Sequence, residues 1–190
     1  MSEKPDYLHA PNFIKRRPDG DLLERSVCGR CGFVDYQNPK VVVGSAVLQG
    51  NKILMCRRAI EPRKGYWTLP AGYLELYETT EEGARREALE EACAKIELER
   101  VLAVFSLAHI SQIQVLYRAK LIDPRIAAGP ESEEVALLEW DEIPWKEIAF
   151  PSVVWTLAAL KRTWRQDDFA PATNPPEGAF AFPPNGPPRL

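Results

Sequence analysis

Glu87, Glu90 and Glu91 stand at i, i+3 and i+4 in a segment that reads as a helix from Thr79 to Ala94. A helix turns by about 100° per residue, so this spacing puts the three carboxylates on one face within about one turn. Like charges that close repel one another, and a divalent cation seated among them removes the repulsion. Mg²⁺ is a hard ion that takes oxygen ligands, usually one or two carboxylates completed by water and substrate phosphates. The pattern therefore predicts metal-assisted chemistry on phosphate. For a bare Glu-x-x-Glu-Glu the plain alternative is a solvated acidic helix face.

The surrounding residues favour the metal. Gly72 is followed after five residues by Glu78, and after seven more by Arg86-Glu87-Ala88-Leu89-Glu90-Glu91, with Ala94 closing the stretch. Upstream, Gly65-Tyr66-Trp67-Thr68-Leu69-Pro70-Ala71-Gly72 reads G-x-W-x-x-P-x-G. Together these residues resemble the signature box of the Nudix hydrolases, and the likeness extends over about residues 28–165. One position departs: the signature's glycine is Cys93 here. That glycine normally ends the helix, so Cys93 must either continue it or take a less comfortable backbone. A buried, small apolar side chain is expected of it.

The resemblance implies roles. Glu87, Glu90, Glu91 and the Gly72 carbonyl would hold Mg²⁺ or Mn²⁺, with Glu91 the strongest ligand. Arg86 would orient a box carboxylate, and Glu78 would support the helix or a second ion. The general base varies in this family between the box and a distal loop. Glu131, Glu133 and Glu134 are the distal candidates, with Glu134 carried as the catalytic one and a solvated loop as the alternative. Arg57 and Arg58 are candidates to grip phosphate, one of them facing solvent. Trp67, Tyr73 and Tyr117 suit stacking on a base or flavin, although Trp67 equally suits the core. His109, on a strand pattern, is expected to pack or to line the substrate.

A box of this kind gives a reaction class rather than a substrate. Ser106 to Gln112 lacks the array of the NADH pyrophosphatases, and His109-Ile110 stands where many ADP-ribose enzymes carry proline. Segments such as Tyr36 to Gly44, Gly129 to Ser132 and Asp141 to Trp145 resemble FAD and ADP-ribose pyrophosphatases. The expected reaction is FAD to FMN and AMP, or ADP-ribose to AMP and ribose 5-phosphate. The alternatives are an NADH or dinucleotide pyrophosphatase, or a non-catalytic ADP-ribose-binding sensor. Such sensors usually carry a DNA-binding domain, for which the front of this chain is too short. The resemblance also implies a homodimer.

Cys28 and Cys31 form a Cys-x2-Cys pair, one half of a zinc ribbon. A structural zinc site takes four ligands. Asp6 and His9 have the same spacing and both can ligate zinc, so Asp6, His9, Cys28 and Cys31 form a candidate structural Zn²⁺ set. A ribbon held by its own packing, without metal, is the alternative.

The elements that must position these groups read as a helix–sheet–helix (α/β/α) sandwich around a mixed sheet, an α/β (α+β) fold with a small zinc-ribbon-like arm. The chain of 190 residues divides by composition into residues 1–38, a domain at 39–166, which the resemblance implies is the hydrolase domain, and a Pro-rich tail at 167–190. Val41 to Leu48 and Lys52 to Arg57 read as strands about a turn at Gln49 to Asn51. Thr79 and Glu82 form a capping box at the start of the glutamate helix. Val101 to Leu107, Gln112 to Leu121 and Val135 to Trp140 read as further strands, and Pro151 to Arg165 as a second helix. The tail holds seven of the 17 prolines, whose missing N–H groups spoil a ladder, and is expected to be a flexible or extended arm, with docking on its own body or a partner through Phe169, Phe180 and Phe182 as the alternative. A net charge of −3 gives no global field toward nucleic acid or an anionic membrane, and Lys15-Arg16-Arg17 alone is a weak basic patch. No 18-residue apolar run is present. The polar start lacks a secretory core, so a reducing cytoplasm is expected, with a small nucleotide as the partner.

Overall fold

The alternation read in the strands appears in the computed structural model, which describes residues 12–176, as two apolar layers on opposite faces of one sheet. The chain divides into two units, Met1–Asn38 and Pro39–Leu190. In the second, β4 (Lys40–Gln49), β5 (Lys52–Arg58), β6 (Trp67–Thr68), β7 (Ala71–Tyr73), β8 (Ile96–Leu107), β9 (Gln112–Leu121) and β10 (Ser132–Leu138) form the sheet. Its order is β10-β5-β4-β9-β8, with β6 on β5 and β7 on β4. The β4–β9 pairing is parallel and the others are antiparallel, so the sheet is mixed as expected.

Successive side chains leave a strand on opposite faces. Ala46, Ile53, Met55, Ala136 and Leu138 join one layer, which holds Val153, Val154, Leu157 and Leu160 of helix α2 (Pro151–Thr163). Their neighbours Val47, Leu54, Cys56, Val135 and Leu137 join the other, with Ala88 and Ala92 of helix α1 (Thr80–Ala92). Ala84, Ala88 and Ala92 recur every fourth residue along the buried side of α1, and their small size lets the helix lie close on the sheet. The α/β/α sandwich is present.

The first unit is a three-stranded antiparallel sheet: β1 (Phe13–Arg16), β2 (Arg25–Cys28) and β3 (Val34–Asp35). A tight turn carries the cysteine pair between β2 and β3. The Gly32 N–H donates to the Cys28 carbonyl at 2.9 Å, with Gly32 at φ +76, a value that suits glycine. Asp6 and His9 lie outside the described residues.

Two expectations need revision, and for the tail the docked alternative holds, with Phe180 and Phe182 outside the described residues. Strand β8 begins at Ile96, five residues early, because the charges of its first half have partners across the ladder: Glu99 pairs with Arg118 and Lys120, each at 2.5 Å. His109 lies on an exposed 3₁₀ turn, Ala108–Ile110, between β8 and β9 rather than on a strand. The described part of the tail is extended but docked. Ala172 pairs with Ala103 on the open edge of β8, and the Asn174 amide exchanges two hydrogen bonds with the Ser106 backbone. The Phe169 ring lies 5.3 Å from the Arg100 guanidinium and 4.7 Å from that of Arg118. Phe169→Ala should therefore cost about 1–2 kcal/mol, seen calorimetrically as a fall in Tm of roughly 3–6 °C. An unchanged Tm would contradict the docked tail.

Candidate active site

Helix α1 starts where the capping box placed it. The Thr79 hydroxyl accepts from the Glu82 N–H at 3.2 Å, and the Glu82 carboxylate accepts from the Thr79 N–H at 2.7 Å. It ends at Cys93, which takes the left-handed conformation at φ +49 and donates its N–H to the Leu89 carbonyl at 2.9 Å. Cysteine thus fills the glycine's structural role at a conformational cost. Its side chain is exposed, not buried as expected, while its neighbours Ala92 and Ala94 fill the layer against the sheet. In the second unit the buried thiol is Cys56, raised above its ordinary pKa by burial and by the Glu91 charge.

Of the three box glutamates, Glu87 and Glu91 are 7% and 5% exposed, while Glu90 points outward. The buried pair lies under β7. Gly72 leaves room for the Glu87 carboxylate, since a Cβ there would meet its oxygens at 2.4–2.5 Å. The Ala71 N–H donates to Glu91 Oε2 at 3.4 Å. Burial, then the charge of Glu87, pushes the Glu91 carboxyl up to about 8. Burial also raises Glu87.

Arg86 binds the surroundings into one network. Its guanidinium donates to both Glu78 oxygens at 3.0 and 2.7 Å, to Glu87 Oε1 at 2.6 Å, to Glu90 Oε2 at 2.9 Å and to the Tyr73 carbonyl at 3.0 Å. Those bonds and the Glu75 N–H hold Glu78 at about 2.

The donors fit a hard divalent cation: oxygen atoms only, two of them on buried carboxylates whose ionisation is otherwise suppressed. As they stand, no three acidic, Cys or His side chains among the described residues converge on one point. Arg86 draws Glu87 and Glu90 to itself, so binding an ion requires those carboxylates to turn toward Glu91.

Strand parity sorts the remaining candidates. Cys56 faces α1, so Arg57 leaves on the other side, while Arg58, at the end of β5, lays its guanidinium over the Phe150 ring at 5.2 Å. The charge of Arg58 acts on Glu91, and its Nε donates to the Pro62 carbonyl at 2.8 Å. Arg57 donates to the Gly65 carbonyl at 2.9 Å and pairs with Glu134 at 3.7 Å. Glu134 thus sits opposite Arg57, turned away from the buried pair, and Glu133 pairs with Lys64 at 3.8 Å. The distal carboxylate whose charge reaches both Glu87 and Glu91 is Glu131. Trp67, 8% exposed, belongs to the α2 layer and presents no stacking face. Tyr117 is also buried, its hydroxyl 2.7 Å from that of Thr80. Tyr73 keeps a half-exposed ring, with the Lys40 ammonium 5.0 Å from its centroid and the Gln112 amide donating to its hydroxyl at 3.1 Å.

In the first unit, the Cys31 and Arg30 N–H groups point at the Cys28 sulfur and hold its thiol below the ordinary value, which favours the thiolate that zinc binds.

A pH dependence follows for the metal-free protein. The Glu91 carboxyl is raised in the fold, so between the unfolded value of about 4.3 and about 8 the folded state binds more protons than the unfolded one. In EDTA, stability measured by urea unfolding should fall as pH rises through that window. Glu91→Gln should flatten the slope, and an equal slope in both proteins would contradict the assignment.

Known proteins match this arrangement. The NUDIX domain family matches residues 38–157, and the Nudix N-terminal zinc-ribbon family matches residues 12–37. A NUDIX hydrolase from Nitrosomonas europaea superposes with a TM-score of 0.80 at 45% identity, over 88% of this chain and 97% of that one. An ADP-ribose pyrophosphatase from Methanocaldococcus jannaschii is 30% identical over 115 residues, 57% of this chain and 67% of that protein. A MutT-like protein from Streptomyces ambofaciens is 32% identical over 102 residues, 54% of this chain and 64% of that protein. The match therefore spans about two thirds of the length of these two relatives. The NUDIX match takes in well over half of the 190 residues, and the chain belongs to the Nudix hydrolase family.

Proposed function

We propose that the protein hydrolyses the diphosphate bond of a nucleoside diphosphate derivative with Mg²⁺ or Mn²⁺, ADP-ribose to AMP and ribose 5-phosphate first, FAD to FMN and AMP second. The buried Glu87–Glu91 pair beneath Gly72 carries this reading. The likeness to the Methanocaldococcus protein supports ADP-ribose.

Glu87, Glu91 and the Gly72 carbonyl would hold the cation, with Glu90 joining when released from Arg86. When bound, the cation neutralises charge on the phosphate oxygens. Arg86 keeps the carboxylates and the Tyr73 backbone in one register. Arg58 adds positive charge on the Glu91 side for a phosphate. Water attacks one phosphorus, the bridging P–O bond breaks, and Glu131 takes the proton from the water. The exposed face of Tyr73 suits stacking with a base. Asp6, His9, Cys28 and Cys31 form the proposed zinc set.

Assay of FAD, ADP-ribose, NADH and diadenosine polyphosphates with Mg²⁺ tests the reading. Cleavage of ADP-ribose or FAD should be fastest; binding of ADP-ribose without cleavage of anything would overturn it in favour of a sensor. Glu91→Gln should lower kcat by at least about 10²-fold while its circular dichroism stays native, and near-native turnover would refute the role. Protein purified without added zinc should carry close to one equivalent by elemental analysis; a ratio near zero would remove the zinc set.

A further inference from the structure

We infer that Gly129 is a positioning residue: it fastens the distal acidic loop to the last turn of the carboxylate helix and thereby sets Glu131 against Glu87 and Glu91. This rests on Glu131 being the base proposed above.

A helix leaves its last four carbonyls without partners in the helix. At the end of α1, the Cys93 and Ala94 N–H groups take the Leu89 and Ala88 carbonyls at 2.9 and 3.0 Å. The Glu91 and Ala92 carbonyls are taken from another part of the chain, by the Gly129 and Ala127 N–H groups, each at 3.0 Å. The loop after β9 is thus bonded, backbone to backbone, to the turn that carries Glu90 and Glu91. The approach is close enough that a Cβ on Gly129 would lie 1.6 Å from the Glu90 carbonyl oxygen and 2.8 Å from its carbon. Both atoms are backbone, so no side-chain rotation relieves the clash.

Two further bonds carry the position on to Glu131. The Ser132 N–H donates to the Gly129 carbonyl at 3.0 Å, and the Ala59 N–H donates to the Glu131 carbonyl at 2.8 Å. The Glu131 backbone is therefore held between the end of β5 and the end of α1. A carbon–oxygen approach of about 3.3 Å is the ordinary limit, so any side chain at 129 displaces the loop by roughly 1.5 Å, and about 1 Å of misplacement in a catalytic group can cost 10²-fold in rate.

A double-mutant cycle distinguishes positioning from mere structure. The wild type, Gly129→Ala, Glu131→Gln and the double variant are compared on whichever of ADP-ribose, FAD and NADH the wild type turns over fastest, at saturating Mg²⁺. Folded fractions are set by circular dichroism. Gly129→Ala should lower kcat about 10²-fold with KM within about threefold, and should add less than about threefold once Glu131 is glutamine. Equal losses in both backgrounds, or a wild-type kcat for Gly129→Ala, would overturn the inference while the base reading stands. A wild-type kcat for Glu131→Gln alone would remove the base and the inference with it. If Gly129→Ala yields no folded protein, Ala127→Pro, which deletes the second tie, replaces it in the same cycle with the same two outcomes.

Discussion

The burial of two carboxylates side by side on one helix is the constraint to which the rest of this protein answers. Glu87 and Glu91 are nearly inaccessible, one of them proton-bound near neutral pH, in a fold where a plain acidic helix face would have stayed in water. Taking such groups out of water is costly unless something charged is brought to them. The nearest guanidinium, Arg86, reaches Glu87 but spends most of its donors on Glu78, Glu90 and the Tyr73 carbonyl. Glu91 is left with one long bond from Ala71 and the more distant charge of Arg58. On the proposed function, a cation with substrate phosphates would resolve this deficit and tie the energetics of the fold to its chemistry.

Several features far apart in sequence serve that pair. Gly72 has no side chain because Glu87 occupies the space, and Gly83 has none because Val43 and Glu78 do. The alanines of α1 let the helix sit low enough to bring both carboxylates under β7. At the other end of the helix the strained Cys93 cap and the loop amides at 127 and 129 complete its carbonyls. The distal loop is joined to the helix by backbone bonds, and β7 is joined to it through the Glu91 and Arg86 side chains, which holds charged groups that must not drift.

Much of this is legible in the sequence, because it is local. The spacing of Glu87, Glu90 and Glu91, the Thr79–Glu82 capping box and the alternation in β4, β5 and β10 each depend on a few neighbouring residues. Other parts depend on contacts made across the fold. Nothing within Glu131-Ser132-Glu133-Glu134 says which carboxylate's charge reaches Glu87 and Glu91; the pairing of Glu134 with Arg57 and of Glu133 with Lys64 leaves Glu131. Trp67 is core because β6 pairs with β5 beneath α2. The prolines of the tail argued against a ladder, yet Ala172 and Asn174, lying between Pro171 and Pro175, supply the groups that meet β8. Cys93 kept the backbone of the glycine it replaces and lost only ease of conformation.

On the proposed function, the buried carboxylates hold a divalent cation. Crystals soaked in Mn²⁺ and measured at the manganese absorption edge test it most directly. The expected result is an anomalous peak bonded to carboxylate oxygens of Glu87 and Glu91 at about 2.0–2.3 Å, near the hard-cation range, with Arg86 still on Glu78. A manganese peak only elsewhere, or none while Glu87 and Glu91 stay as they are, would contradict it.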